Sequence, residues 1–171
     1  STANPSGPGG NLTLTTAQGS IAAASLETDG QFAGGNIVLD SGRQIRAGTL
    51  STRAADAEGA GGDVELDAAR EIFLESVDTT GSGSSGDVAI ASRGSGIILE
   101  EPGEIRTASE SGEAGNVSIR TPETLSLGSV DARGPRGGGN VNLEAAFLID
   151  VGAIAAGFPA TTDNNPSEGG N

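Results

Sequence analysis

No cysteine, histidine, lysine, methionine, tryptophan or tyrosine occurs in this 171-residue chain. Without cysteine there is neither a disulfide framework nor a thiol nucleophile, and without histidine the usual nucleophile–base pairs and soft metal ligands are missing too. Four phenylalanines make up the whole aromatic complement, few for a groove that must stack sugar rings. Positive charge is scarce: nine arginines against twenty-three acids give a net charge of −14. Nucleic acid, which demands basic patches, is therefore not an expected partner. Long apolar runs are lacking as well. No stretch approaches the roughly 18 apolar residues that span a bilayer, and no charged-then-apolar signal stands at the start, so membrane insertion is not expected. The absence of cysteine permits a secreted protein and a cytoplasmic one alike.

What the chain does have is a repeat. Twenty-eight of its thirty-one Val, Ile and Leu residues fall on one template, which recurs behind a Gly-[Asn/Asp] step at 10–11, 35–36, 62–63, 86–87, 115–116 and 139–140. After each step comes an apolar–polar alternation, as in Asn36-Ile-Val-Leu-Asp and Asp63-Val-Glu-Leu-Asp, which is the pattern of a strand with one buried face. A second short strand is predicted to start at Ile21, Ile45, Ile72, Ile97, Leu125 and Ile149, and a third at Leu26, Leu50, Val77, Ile105, Val130 and Ile154. In the fourth unit Glu100-Glu101-Pro102-Gly103 pushes the third strand out to Ile105.

Strands this short cannot bury a face alone; winding three per turn and stacking the turns solves the problem. The fold class expected is all-β: a β-solenoid of about six coils with three short strands per coil. Residues 1–10 are expected to end a preceding turn, 11–156 to form the coils, and 157–171 to be a long turn leading to a further coil. Thr28, Thr52, Thr79 and Thr107 occupy an inward column suited to a tight corner. The stretch from the third strand to the next Asn or Asp varies most, at 10, 13, 10, 11, 10 and 17 residues, so insertions collect along one edge. The turns hold most of the twenty-nine glycines, expected there for positive φ angles.

Several residue sets invite a functional reading. Asn11, Asn36, Asp63, Asp87, Asn116 and Asn140 form a column that could serve as a ligand array; we read it as structural, each side chain capping its own turn with stacked amides adding ladder bonds. Asp78, Arg106 and Asp131 share an outward column and are expected to form a salt-bridge ladder. Asp40, Glu65 and Asp67, with Arg43 and Arg70 nearby, are the cluster from which a polysaccharide-cleaving groove would be built, although nothing else completes a catalytic set. Phe73 and Ile98 form an outward apolar pair that would dock another chain or lie under a long turn. Acidic turns at 56–59 and 163–168 offer oxygen ligands for calcium, without a recognised calcium loop. No other cofactor or metal site is expected.

The pattern Gly34-Gly-Asn-Ile-Val-Leu through Ile45-Arg-Ala-Gly-Thr-Leu-Ser-Thr52, and Gly115-Asn-Val-Ser-Ile through Gly139-Asn-Val-Asn-Leu143, resembles the repeats of filamentous-haemagglutinin-like exoproteins of bacterial two-partner secretion. The resemblance covers residues 9–156. It implies a right-handed parallel β-helix, an extracellular or bacterial cell-surface location, and a role in adhesion, surface coating or cell–cell contact. The expectation that follows is a non-catalytic, rigid acidic rod. Its partners would be other copies through open solenoid ends, flanking coils of the same protein, or surface glycans. A carbohydrate-binding or polysaccharide-cleaving β-helix is the alternative.

Overall fold

The computed structural model describes residues 1–157, which form twelve strands and no helix. The first coil holds β1 (Leu12–Thr16) and β2 (Ile21–Glu27), the second β3 (Ile37–Ser41) and β4 (Ile45–Ser51), the third β5 (Val64–Ala68) and β6 (Ile72–Asp78). Then follow β7 (Val88–Ser92) with β8 (Ile97–Arg106), β9 (Val117–Thr121) with β10 (Thr124–Arg133), and β11 (Val141–Ala145) with β12 (Leu148–Gly157). Odd-numbered strands pair in chain order into one six-stranded parallel sheet and even-numbered strands into another. The register is that of a solenoid, for example Leu12↔Ile37, Ile37↔Val64, Val64↔Val88, Val88↔Val117 and Val117↔Val141. The molecule is a β-solenoid of six coils, as the repeat requires.

The second and third strands expected in each coil run as one bent strand. Pairing between β2 and β4 proceeds to Ala23↔Ala47, skips Ala24 and Gly48, and resumes at Ser25↔Thr49. The same skip falls at Gly128 and Gly152 between β10 and β12. A small residue suits this corner because the chain turns there against the coil below: a Cβ on Gly48 would stand 2.2 Å from the Ala24 carbonyl oxygen. In β8 the extra residues form a bulge between Leu99↔Leu74 and Glu104↔Ser76. At its end Gly103 takes φ +62°, a conformation that favours glycine. The third side of the prism carries only isolated parallel bridges, such as Gly30↔Ala54↔Gly81↔Ser109.

Inside, Ile37, Leu39, Ile45, Leu50, Ile72, Ile97, Ile105, Ile119 and Leu125 are completely buried. Their columns run unbroken through the middle coils and open toward the last. Ile149 and Ile154, on the same template, are 44% and 51% exposed. Residues 2–10 lie one layer beyond the first coil on its third side, where Thr2 and Asn4 donate backbone bonds to Glu27 and Asp29. Phe158, the acidic turn 163–168 and the Gly170-Asn171 step lie outside the described residues, as does all of the expected final turn except Gly157.

Candidate functional site

The Gly-[Asn/Asp] step is the joint on which every coil closes, and its geometry corrects two expectations. Asn36 does not cap its own turn; its N–H reaches the Asn11 Oδ1 of the coil before, at 2.9 Å. Asp63 N–H reaches Asn36 Oδ1, Asp87 reaches Asp63, Asn116 reaches Asp87 and Asn140 reaches Asn116, at 2.9, 2.8, 2.7 and 2.9 Å. The column is thus a side-chain-to-backbone ladder between coils, extended by amide bonds from Asn116 to Asp87 and from Asn140 to Asn116.

The preceding glycine works within its own coil. Its N–H donates to a third-segment carbonyl, as in Gly35→Thr28, Gly62→Thr52, Gly86→Thr79, Gly115→Thr107 and Gly139→Ala132. In four of these coils the buried threonine hydroxyl answers by donating to the glycine carbonyl: Thr28→Gly35, Thr52→Gly62, Thr79→Gly86 and Thr107→Gly115, within 2.7 Å. The threonines therefore do more than fill a corner; each is half of a two-bond clamp. Nor do these glycines supply positive φ, which among the described glycines occurs only at Gly103 and Gly157. They are there because backbone lies against backbone. A Cβ on Gly62, Gly86 or Gly115 would fall 2.3, 2.1 or 1.9 Å from the carbonyl oxygen of the equivalent glycine one coil below.

In the ladder, Asp63 and Asp87 stand on neighbouring rungs, where like charges oppose each other. Asp63→Asn keeps the Oδ1 acceptor, removes the repulsion and adds an amide donor facing Asn36. It is expected to raise stability by about 0.5 kcal/mol, whereas Asn36→Ala, which strands the Asp63 N–H, is expected to cost about 1 kcal/mol. Urea unfolding of both variants checks the pair, and opposite signs are required.

The charged faces show right columns and wrong partners. Asp78, Arg106 and Asp131 are paired in register as expected. Their ion pairs nevertheless run elsewhere: Arg106 approaches Glu104 at 3.7 Å, Asp78 approaches Arg53 at 4.0 Å, and Asp131 is held by Arg133 at 2.8 Å. The Arg133 hydrogen bond keeps the Asp131 carboxyl below the ordinary aspartate range. Asp29 takes Arg53 at 3.0 Å and, chiefly through that bond, raises the Arg53 guanidinium above its usual value.

Asp40 and Asp67 do stack. The cation that serves them is neither Arg43 nor Arg70 but Arg93, from the following coil, at 3.5 Å to Asp40 and 2.7 Å to Asp67. Glu65 and Asp67 line a shallow polar groove with Arg120, Asn142 and Glu144. Two carboxylates committed to one guanidinium make a salt-bridged surface.

Phe73 and Ile98 sit side by side in register. The guanidinium of Arg46 lies over the Phe73 ring, 5.4 Å from the centroid, and is tethered by Glu100 at 3.3 Å. Ile98 stays 38% exposed. Among the described residues no three Asp or Glu side chains converge to hold a metal ion, and the 56–59 turn instead borders Phe32. Sequence reasoning missed the threonine clamp and Arg93. The clamp was signalled by threonine recurring seven to ten residues before a glycine; Arg93 had no signal beyond its own charge.

No protein-family model, no curated protein and no solved structure matches the chain.

Proposed function

We propose that this chain is a structural segment of a secreted bacterial surface adhesin or extracellular filament, akin to the filamentous-haemagglutinin-like exoproteins, serving as a rigid acidic spacer. The observation that supports this most is the constancy of the cross-section. The same inward columns and the same ladder repeat coil after coil, and the threonine–glycine clamp recurs in four of them, so the residues the coils share serve to hold a rod together. At about 4.8 Å per coil, six coils give a rod roughly 29 Å long. A net charge of −14 keeps its sides mutually repulsive and soluble.

The second reading, a glycan-binding or glycan-cleaving face, draws on the polar groove of Glu65, Asp67, Arg120, Asn142 and Glu144. One experiment separates the two. The purified chain is incubated with acidic and neutral polysaccharides, and reducing ends and binding are both measured. The spacer reading expects neither above background. Reducing-end release or saturable binding that disappears in Asp67→Asn would overturn it in favour of the groove.

A further inference from the structure

Positive charge is unevenly placed on this acidic chain. Of its nine arginines, Arg53, Arg106 and Arg133 line one groove along the edge where the even-numbered strands end, a hollow of about 420 Å³. The hollow exists because the column that carries Arg53 on the second coil and Arg133 on the fifth is short in between, at Thr80 and Ala108.

The aspartates of the groove lie low and are already bonded. Asp78 accepts from the Thr80 N–H at 3.0 Å, and Asp131 accepts from Nε and Nη2 of Arg133, each at 2.8 Å. Their side chains are 23% and 18% exposed, against 54%, 48% and 49% for Arg53, Arg106 and Arg133. Solvent in the groove therefore meets guanidinium before aspartate, and Glu110 is the exposed acid among the described lining residues. Arg106 is the anomaly. In register it stands between Asp78 on one coil and Asp131 on the next, yet neither takes it, and Glu104 comes only to 3.7 Å.

We propose that this groove binds a compact tetrahedral oxyanion of the phosphate type, held by Arg106 and by the outer edge of Arg133 on the next coil. The Thr80 and Ser82 hydroxyls in the lining serve as further donors. A guanidinium presents its N–H groups in a fixed fork that suits phosphate oxygens. A carboxylate satisfies one such fork, as Asp131 does for Arg133. Two guanidinia from coils about 4.8 Å apart call for an anion that accepts in more than one plane. The net charge of −14 repels a long polyanion far more than a single dianion, which selects a small ligand. Inorganic phosphate and a small phosphomonoester share this chemistry. The site goes beyond the spacer reading and does not depend on it.

Amide NMR of the full chain, titrated separately with inorganic phosphate, glycerol phosphate and acetate at constant ionic strength and slightly alkaline pH, tests it. Saturable shifts centred on Ser82, Arg106 and Ser109 are expected with both phosphates; tighter binding of glycerol phosphate would identify an ester as the ligand, and equal binding the free anion. Arg106→Gln is expected to weaken binding about ten-fold. Asp131→Asn, which frees the Arg133 fork, is expected to tighten it about three-fold. Arg70→Gln, the same loss of charge at the corner between β5 and β6, is expected to change nothing. The same spectra report that each variant is folded. Failure to saturate, acetate binding as tightly as phosphate, equal effects of Arg70→Gln and Arg106→Gln, or an Asp131→Asn chain that binds no better would each overturn the proposal.

Discussion

Gly115→Ala is expected to lower the melting temperature by roughly 6–12 °C, and Gly10→Ala by little. Both glycines belong to the same column of the Gly-[Asn/Asp] step. At Gly115 the new methyl would fall 1.9 Å from the Gly86 carbonyl oxygen, a backbone atom that no rotamer change can move aside. Relief requires separating two coils, which strains the Thr107–Gly115 clamp and the Asn116–Asp87 rung together. A cost of about 3 kcal/mol or more follows, at about 2–4 °C per kcal/mol for a chain of this size. Gly10 has no earlier glycine beneath it; the nearest atom is the Thr2 Cβ at 3.3 Å. Circular-dichroism melts of the two variants decide the matter. Equal losses would mean that backbone entropy, rather than coil-to-coil contact, governs the column.

Ile72→Ala should cost about 2–5 kcal/mol, the range for a large aliphatic truncated in a packed core. Ile72 is completely buried, with Ile45 below it and Ile97 above in the same column. The cavity it leaves weakens two coil interfaces at once. Since each coil touches only its neighbours, the loss is local and divides the rod into two halves of two or three coils. Unfolding in urea should then broaden, with a lower apparent slope, as the halves lose cooperativity. Ile149→Ala removes the same atoms from a residue 44% exposed at the open end and should cost under about 1 kcal/mol in the monomer. A single sharp transition for Ile72→Ala, shifted no further than that of Ile149→Ala, would contradict nearest-neighbour coupling.

The core was legible because burial writes itself into side-chain type. Val64, Leu66, Ile72 and Val77 could be placed by period alone, and each is inside with its coil neighbours in register. The breaks between elements were less legible. Leu74 and Val77 read as separate strands, whereas the backbone carries pairing past Glu75 with a bend that sequence does not mark. Partner choice among charges was least legible of all. An arginine side chain reaches across a rung, so Arg93 serves carboxylates on two different coils and Arg46 reaches Glu100 past Phe73. Outward residues are constrained in column but not in rotamer. The Asn ladder fell between these cases: its residues were identifiable from spacing, but whether an Asx oxygen bonds inside its turn or to the next coil depends on the stacking that only the fold provides.

The threonine–glycine clamp separates how long the chain is from how far apart the coils stand. Between Thr28 and Gly35 the clamp spans seven positions, and between Thr52 and Gly62 ten, with both bonds intact in each. The number of residues between those two can change while the third-side bridges, such as Ala54 with Gly30 and Gly81, stay in place. The edge is in effect a row of interchangeable labels set at a fixed spacing on an invariant ruler. Peptides of foreign sequence inserted between Arg53 and Gly61 would be presented at a predetermined height along the rod, several to a particle, and their order would follow the order of the coils that bear them.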